Sequence, residues 1–411
     1  MPAPGQAAAR ARLAAVQPEA YARSRNHLDG AATGLSPYLT HGLLSLPEVL
    51  AGVLQRHALP VQHKLVFELG WRAYFRHVWA HRGAGILASL HAGPLPDAAY
   101  TGDVPADVRE ARTGLPVIDQ AVRALYASGT LHNHARLWLA SYLVHLRKVH
   151  WRAGADWLYG HLLDGDLASN HLSWQWVAGT GSHQPYLFNA QNVATFAPPA
   201  WHSPGSVLDA SYEQLQAWAQ DATAVCAPHT PAPQGIAEPA VQAQPPHPQP
   251  APDARAVQGR TVWLLHPWCL APPPAGLPAD TVVLGLYLAD FHRQWPWSAA
   301  RWHFVDASMA ELTPLRWHAG AAQLPALLQG AQRVLTRDEP HLQPWLGRLA
   351  QTVEPAALFA PQAVRCDAFS PWWRRATRGR RQAGELLQDH SAHTASPFAY
   401  AAGCHSMNGE P

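Results

Sequence analysis

The sequence predicts a multidomain α plus α/β protein, with an all-helical first half and a small parallel-sheet α/β domain after it. Three observations predict this. Residues 1 to about 220 carry apolar residues at helical spacing, punctuated by helix caps, with no convincing alternating strands. Residues 221–259 are dominated by Pro, Ala and Gln, most strongly from Ala227 to Gly259, and hold almost no large apolar residues. Such a segment cannot bury enough surface to offset its ordering entropy, so it reads as a semi-extended linker. Beyond it, short β-branched runs alternate with helical segments, the pattern of a parallel α/β unit. The expected units are a helical domain over 1–220, the linker over 221–259, an α/β domain over 260–395 and a flexible tail over 396–411.

In chain order, SLPEVLAGVLQRH begins with a Ser cap, a Pro just inside and a Glu three residues after the Ser. VIDQAVRALYASG has helical spacing and stops at Gly129. ARLWLASYLVHLRKVHW continues the helical pattern. After the linker, TVWLLHPWCL and DTVVLGLYLADF read as strands, SAARWHFVDASMAELTPL and LPALLQGA as helices, RVLTRDE as a strand and HLQPWLGRLAQTV as a helix. No internal repeat is visible.

Composition bounds the function. The 411 residues are 48% hydrophobic, enough for sizeable cores. The formal charge is +2 with 25 His neutral, too small for electrostatics alone to imply nucleic-acid binding. The 18 Trp can fill cores, stack on flat ligands or carry electrons. The four cysteines, Cys226, Cys269, Cys366 and Cys404, form no CxxC, which argues against a disulfide framework and against a four-Cys metal site in the first half. No metal site is expected. No leader pattern and no long apolar run stands out, so a cytoplasmic protein without a membrane partner is expected.

Four clusters carry chemistry. In DGDLASNHLSWQWVAGTG, a helix from about Asp166 puts Asp166, Asn170 and Trp174 on one face, with Asp164 near the helix start where anions are favoured. The same spacing suits a capped helix whose indoles fill a core. In LHNHARLWLA, Asn133 and Arg136 lie one turn apart and need buried partners, which Asp164 or Asp166 can supply; a structural ion pair between helices reads equally well. In FELGWRAYFRHVW, Glu68, Trp71, Arg72 and Phe75 fall at helical spacing, as they also would in a plain amphipathic helix. In ATGLSPYLTHG, Thr33, Gly34 and Ser36 can present hydroxyls and backbone N–H groups to a phosphate, although such turns are common.

Together, LSPYLTHG, ELGWR, TGLPVIDQAVRALYASGTLHN, WRAG and DGDLASNHLSWQWVAGTG resemble, in order and wording, the FAD-binding catalytic domain of the DNA photolyase/cryptochrome family, from about Tyr21 to Tyr186. The resemblance implies FAD as cofactor. It implies that Thr33, Gly34, Leu35 and Ser36 hold the pyrophosphate, with Tyr21 as a further phosphate contact. Arg136 and Asp164 would pair beside the flavin ring, Asp166 would accept hydrogen bonds from the flavin and ribityl region, and Asn170 would sit near N5. Arg72, Asn133 and Gly165 complete the implied cofactor set. Trp174 and Trp151 match the first two members of the family's photoreduction chain, and Tyr100 lies near the third. Glu68, Trp71, Asn133 and Trp176 match residues that line a cyclobutane-dimer pocket. The activity implied is light-driven splitting of pyrimidine dimers in UV-damaged DNA, and the alternative is a cryptochrome-like photoreceptor with a signalling partner.

The departures are specific. His134 and Leu137 replace an Arg and a Met of the bacterial dimer enzymes, and His171, Leu172 and Ser173 replace the usual residues before WQW. LFNAQNVATFAP loses the usual continuation, and the family's basic DNA-contacting segments are hard to find. The paired His of six-four photolyases are absent, with Asn133 and Leu137 at those positions, and the cluster cysteines of the iron–sulfur branch are missing from the first half. The Rossmann-like domain after the linker resembles the family's antenna domain through ARWHFVDASMAELTPL and RVLTRDEPHLQPWL, which implies a rearranged order with that domain placed last and leaves its antenna pigment open.

Overall fold

Ser45 begins a helix as its sequence predicts: its hydroxyl accepts from the Glu48 N–H while the Glu48 carboxylate accepts from the Ser45 N–H. The computed structural model describes residues 1–227, 233–247 and 249–391. The tail expected over 396–411, with Cys404, lies outside the described residues. The helical half contains α1 (Gln6–Ala14), α2 (Pro18–Ser24), α3 (Ser36–Thr40), α4 (Leu46–Leu54), α5 (Lys64–Arg82), α6 (Ala106–Arg109), α7 (Pro116–Ser128), α8 (Asn133–Ser141), α9 (Trp151–His161), α10 (Leu167–Ala178), α11 (Ala190–Phe196) and α12 (Tyr212–Gln220). α7 stops where predicted, at Gly129 in the left-handed conformation. α8 runs on into one π-helical turn, Tyr142–Leu146.

The second half contains β1 (Val241–Gln242), β2 (Thr261–Leu265), β3 (Val282–Leu288), α13 (Ala289–Gln294), β4 (Trp297–Ser298), α14 (Ala299–Ala310), β5 (Arg316–Ala319), α15 (Leu324–Leu328), β6 (Arg333–Arg337), α16 (Gln343–Leu346), β7 (Gln351–Val353), α17 (Phe369–Ala376) and α18 (Glu385–Ser391). Five parallel strands stand in the order β5-β3-β2-β6-β7. All of β2 is buried, as befits a parallel strand covered on both faces. Two expectations change. HLQPWLGRLAQTV is a four-residue helix followed by β7, because Gln351–Val353 pairs with Leu335–Arg337 at the sheet edge. RWHA, unassigned from sequence, is β5, its inward Trp317 and Ala319 alternating with half-buried neighbours.

The chain enters the sheet at central β2, so its direction switches between β2 and β6. Ligands of open α/β sheets sit beyond the strand ends at such a point. Here Trp268 and His341 occupy it, their rings stacked at 4.4 Å. Val241 and Gln242, within the 221–259 segment, pair antiparallel with Ser298 and Trp297. Glu238 of the same segment accepts from Arg109 at 2.6 Å and from the Trp157 indole at 2.9 Å.

The two halves share one hydrophobic core that runs from Val49, Leu65 and Val66 through Trp268, Trp302 and Trp373. Three glycines of the motif stretches permit the contact. A Cβ on Gly42 would lie 2.5 Å from the Trp268 carbonyl oxygen. One on Gly70 would lie 2.4 Å from the Trp373 ring, and one on Gly165 would lie 2.5 Å from the Arg301 guanidinium. Fully buried Arg301 donates to the backbone oxygens of Tyr159 and Gly165 at 3.2 and 2.5 Å and lies over the Trp297 ring at 4.0 Å. A side chain from the α/β half thus supports the loop that carries Asp164 and Asp166.

Candidate functional site

The Asp164–Gly181 stretch forms the loop and helix expected of it. Asp166 is the N-cap of α10, its carboxylate accepting from Ser169 N–H and Oγ at 2.8 and 3.0 Å, and Gly179 ends the helix in the left-handed conformation. Asp164 accepts from Arg136 Nη2 at 2.9 Å on both oxygens. Of the two partners that sequence left open for Arg136, the structure uses Asp164. Asp166 instead takes Arg76 Nη2 at 2.5 Å, and Arg76 also donates to Glu339 of the α/β half at 2.6 Å. Burial opposes ionisation of Asp166, but Arg76, His341 and Arg72 outweigh it and hold its carboxyl well below the usual range.

Two cavities adjoin here. The first, about 210 Å³, is walled by Glu68, Trp71, Arg72, Asn170 and Trp174. The second, about 850 Å³, is walled by Arg12, Tyr21, Arg25, Thr33 and Gly34. Ser36, Asn133, Arg136 and Asp164 line both. The turn before α3 is shaped by Gly34 at φ +63°, where a Cβ would also meet Arg12 at 2.5 Å. Arg12 clamps that turn through the carbonyls of Thr33 and Ala32 at 2.5 and 2.8 Å. The pair offers a compact compartment with a neutral amide and a shielded ion pair, joined to a basic one, which fits a flat redox ring carrying an anionic tail. The Asn170 amide donates to the Ala155 carbonyl at 2.8 Å and is buried against the first compartment. Arg72 donates to Thr40 Oγ1 at 2.9 Å, and Thr40 Oγ1 donates to the Asp164 carbonyl at 3.2 Å.

Several expected members lie elsewhere. Leu35 is buried in the shared core, since its side chain points away from the turn. Gly165 faces Arg301. The oxygens of Asp166 are taken by Ser169 and Arg76, and the residue lines neither cavity. Trp176, two residues from Trp174 and so on another face of α10, is 41% exposed and packs on Tyr186 at 5.5 Å. Trp174 lines the first cavity, its ring lying where a Cβ on Gly154 of the WRAG motif would fall. Trp151, one turn before Gly154, donates its indole N–H to Ser89. His150 bridges it to Tyr100, with ring separations of 5.7 and 6.1 Å.

Glu68 is ion-paired with Arg25 at 3.7 Å, and burial raises its carboxyl above the usual range despite Arg25 and Lys64. Trp71 is stacked face to face with Phe369 of α17 at 4.0 Å and 9°. Of the departures, Leu137 and Ser173 reach the first cavity. His171 turns away to Asp156 at 2.8 Å, Leu172 enters the core, and His134 stacks on Phe196 at 4.9 Å. Sequence reasoning missed Arg12, Arg76, Arg301, Glu339 and Phe369. Arg76 carried a signal, since it follows Arg72 by one helical turn on ELGWR. The others meet the site only through long-range packing.

The helical half thus holds one compartment surrounded by an ion pair, an amide and an indole. Residues 65–225 match the family model described as the FAD binding domain of DNA photolyase. The chain is 35% identical over 175 residues to a deoxyribodipyrimidine photo-lyase of Streptomyces griseus, covering 39% of this chain and 35% of that protein. It is also 35% identical over 174 residues to the cryptochrome DASH, chloroplastic/mitochondrial, of Oryza sativa subsp. japonica, covering 40% and 30%. The solved Synechocystis sp. PCC6803 cryptochrome is 28% identical, with a TM-score of 0.41 over 47% of this chain and 43% of that one. This chain spans about a third of the length of these two curated relatives. The matched stretch, residues 65–225, is thus an FAD-binding domain of the DNA photolyase type, with FAD as its cofactor. Among the described residues no helix is long and apolar enough to cross a membrane, and no group of three or more His, Cys, Asp or Glu could hold a metal.

Proposed function

We propose that this chain is an FAD-dependent, blue-light-driven DNA photolyase-like protein that splits cyclobutane pyrimidine dimers. One observation carries the reading: Glu68, Trp71 and Asn133 line the same cavity as Asn170 and the Arg136–Asp164 pair. When bound in its reduced form and excited by light, FAD would lend an electron to the dimer, and that electron would return to the flavin once the two bonds joining the pyrimidines have broken. Thr33, Gly34, Ser36 and Tyr21 hold the pyrophosphate side. Arg136 and Asp164 balance each other beside the ring without adding net charge. Asn170 presents an amide that can donate or accept as the ring's protonation changes. Glu68, its carboxyl raised above the usual range by burial against the pull of Arg25, faces a flipped-out dimer, while Trp71 and Asn133 wall and orient it. Trp176, outside the cavity, serves the rim. Trp174, Trp151 and Tyr100 form the path by which electrons arrive from the surface.

The test is light-dependent repair by FAD-loaded, chemically pre-reduced protein on a thymine-dimer oligonucleotide, read as the return of base absorbance against a dark control. Pre-reduction removes the dependence on Tyr100. Repair supports the photolyase reading; absence of repair with flavin bound rejects it. A specific observation favours the second reading, a cryptochrome-like photoreceptor with a signalling partner: Phe369 covers one face of Trp71. Under that reading, illumination changes the exposure of the 357–391 region and leaves the dimer intact.

A further inference from the structure

We propose that the arginines on and just after α17 form a docking surface for the phosphate backbone of duplex DNA beside the flavin cavity. The inference rests on the DNA-directed reading above only for the choice of polyanion. Residues 365–381 hold six arginines against one acid, Asp367, in a chain whose net charge is only +2. That acid is engaged by Arg82 and Arg365 at 2.7 and 2.9 Å. α17 is sharply two-sided. Phe369, Trp372 and Trp373 are buried, while Arg374, Arg375 and Arg378 are exposed, as is Arg381. Among the described residues Arg374, Arg378 and Arg381 carry no side-chain ion pair.

The surface is fixed in place. The Trp373 indole donates to Gln62 Oε1 at 3.2 Å, Val61 N–H donates to the Arg381 carbonyl at 2.9 Å, and Ala383 N–H donates to the Leu59 carbonyl at 2.9 Å. Gly70, inside ELGWR, leaves the space that the Trp373 ring fills. These contacts tie the arginines to the half that matches the FAD-binding domain, although the segment lies outside residues 65–225. Phe369 at the start of α17 stacks on cavity-lining Trp71, and Arg374 and Arg375 follow it by about 8–9 Å along the axis at the usual helical rise. A duplex seated on these guanidiniums would lie against the helix whose Phe369 backs cavity-lining Trp71.

The chemistry favours nucleic acid over a lipid surface. Guanidinium forks match phosphate oxygens in pairs, and α17 turns its aromatics inward, leaving no apolar side chain to enter a bilayer.

The experiment uses the full FAD-loaded chain and two 20-base-pair duplexes, one unmodified and one with a single thymine dimer, titrated across a salt series. The triple variant R374A/R378A/R381A is expected to bind both duplexes about tenfold or more weakly near 0.1 M salt. The slope of log K against log salt should shrink by about 2–3, at roughly 0.9 per phosphate contact. Flavin content and absorbance should not change, and the corresponding triple Lys variant should keep the slope. Unchanged affinity and slope in the Ala variant overturn the proposal, as does absence of DNA binding by the parent protein. Arginine-dependent binding to phosphatidylserine vesicles with DNA binding unaffected also overturns it. Failure of the repair reading is separate: a protein that repairs nothing, yet loses both duplexes in the triple variant, leaves this surface standing.

Discussion

Arg76 is the residue on which two buried carboxylates depend. Asp166 and Glu339 have side chains only 2% and 10% exposed, and both point at its guanidinium. Burial would raise both carboxyls; Arg76 and His341 outweigh it, drawing Glu339 down to about 2 and Asp166 lower still. A carboxyl depressed in the folded state contributes stability above its unfolded value, near 4, and that stability is lost as pH falls through the folded value. The folded protein should therefore lose stability between about pH 4 and pH 2. Arg76→Met should cost about 3 kcal/mol at neutral pH, because it strands two buried charges. Urea melts at about pH 7 and pH 4 check the cause: a deficit that narrows on acidification reflects charge, and a constant one reflects packing. At the mouth of the same site, Glu68→Ala should lower repair yield while leaving the flavin spectrum intact. An equal yield would make Glu68 only the partner of Arg25.

At the scale of elements, α9 and α10 carry the proposed electron path. The Trp174 ring occupies the space that Gly154 leaves open, so indole and glycine act as one feature. Trp174→Phe should slow photoreduction of oxidised flavin by an external donor, and an unchanged rate would remove Trp174 from the relay. Gly154→Val should slow it too by moving the ring, with flavin still bound. α10 was legible in sequence because both its caps are local: Asp166 at one end and Gly179 at the other. VIDQAVRALYASG was legible for a similar reason, its helical spacing ending at Gly129 in the left-handed conformation. The direction of individual side chains around a helix was less legible. His171 and Leu172 looked like losses from the pocket, yet each successive residue turns about 100° around the axis, and only Ser173 of the three faces the cavity. Phe369 on Trp71 spans almost 300 residues of sequence, so no local pattern could announce it. Strand β7 was missed because its three residues become a strand only by pairing with β6.

At the scale of the whole molecule, the α/β half is built into the helical half. Arg301 reaches the Gly165 carbonyl, Glu339 meets Arg76, and α17 fills the space above Gly70. Unfolding should therefore give one transition by far-UV and tryptophan signals alike. Gly70→Leu should displace the Trp373 ring and hasten trypsin cleavage within residues 374–381, read by mass. Cleavage at the parental rate would mean that Trp373 moves aside at little cost. The continuous core also bears on synthesis. The helical half leaves the ribosome first, with Leu65, Val66 and Trp79 awaiting partners that come much later in the chain. At usual elongation speeds, translation from residue 220 to the end of α17 takes roughly 10–30 s. Through that interval the nascent chain presents a wide apolar face, and its folding yield is expected to depend on protection of that face until the last arginine-bearing helix arrives to close the structure.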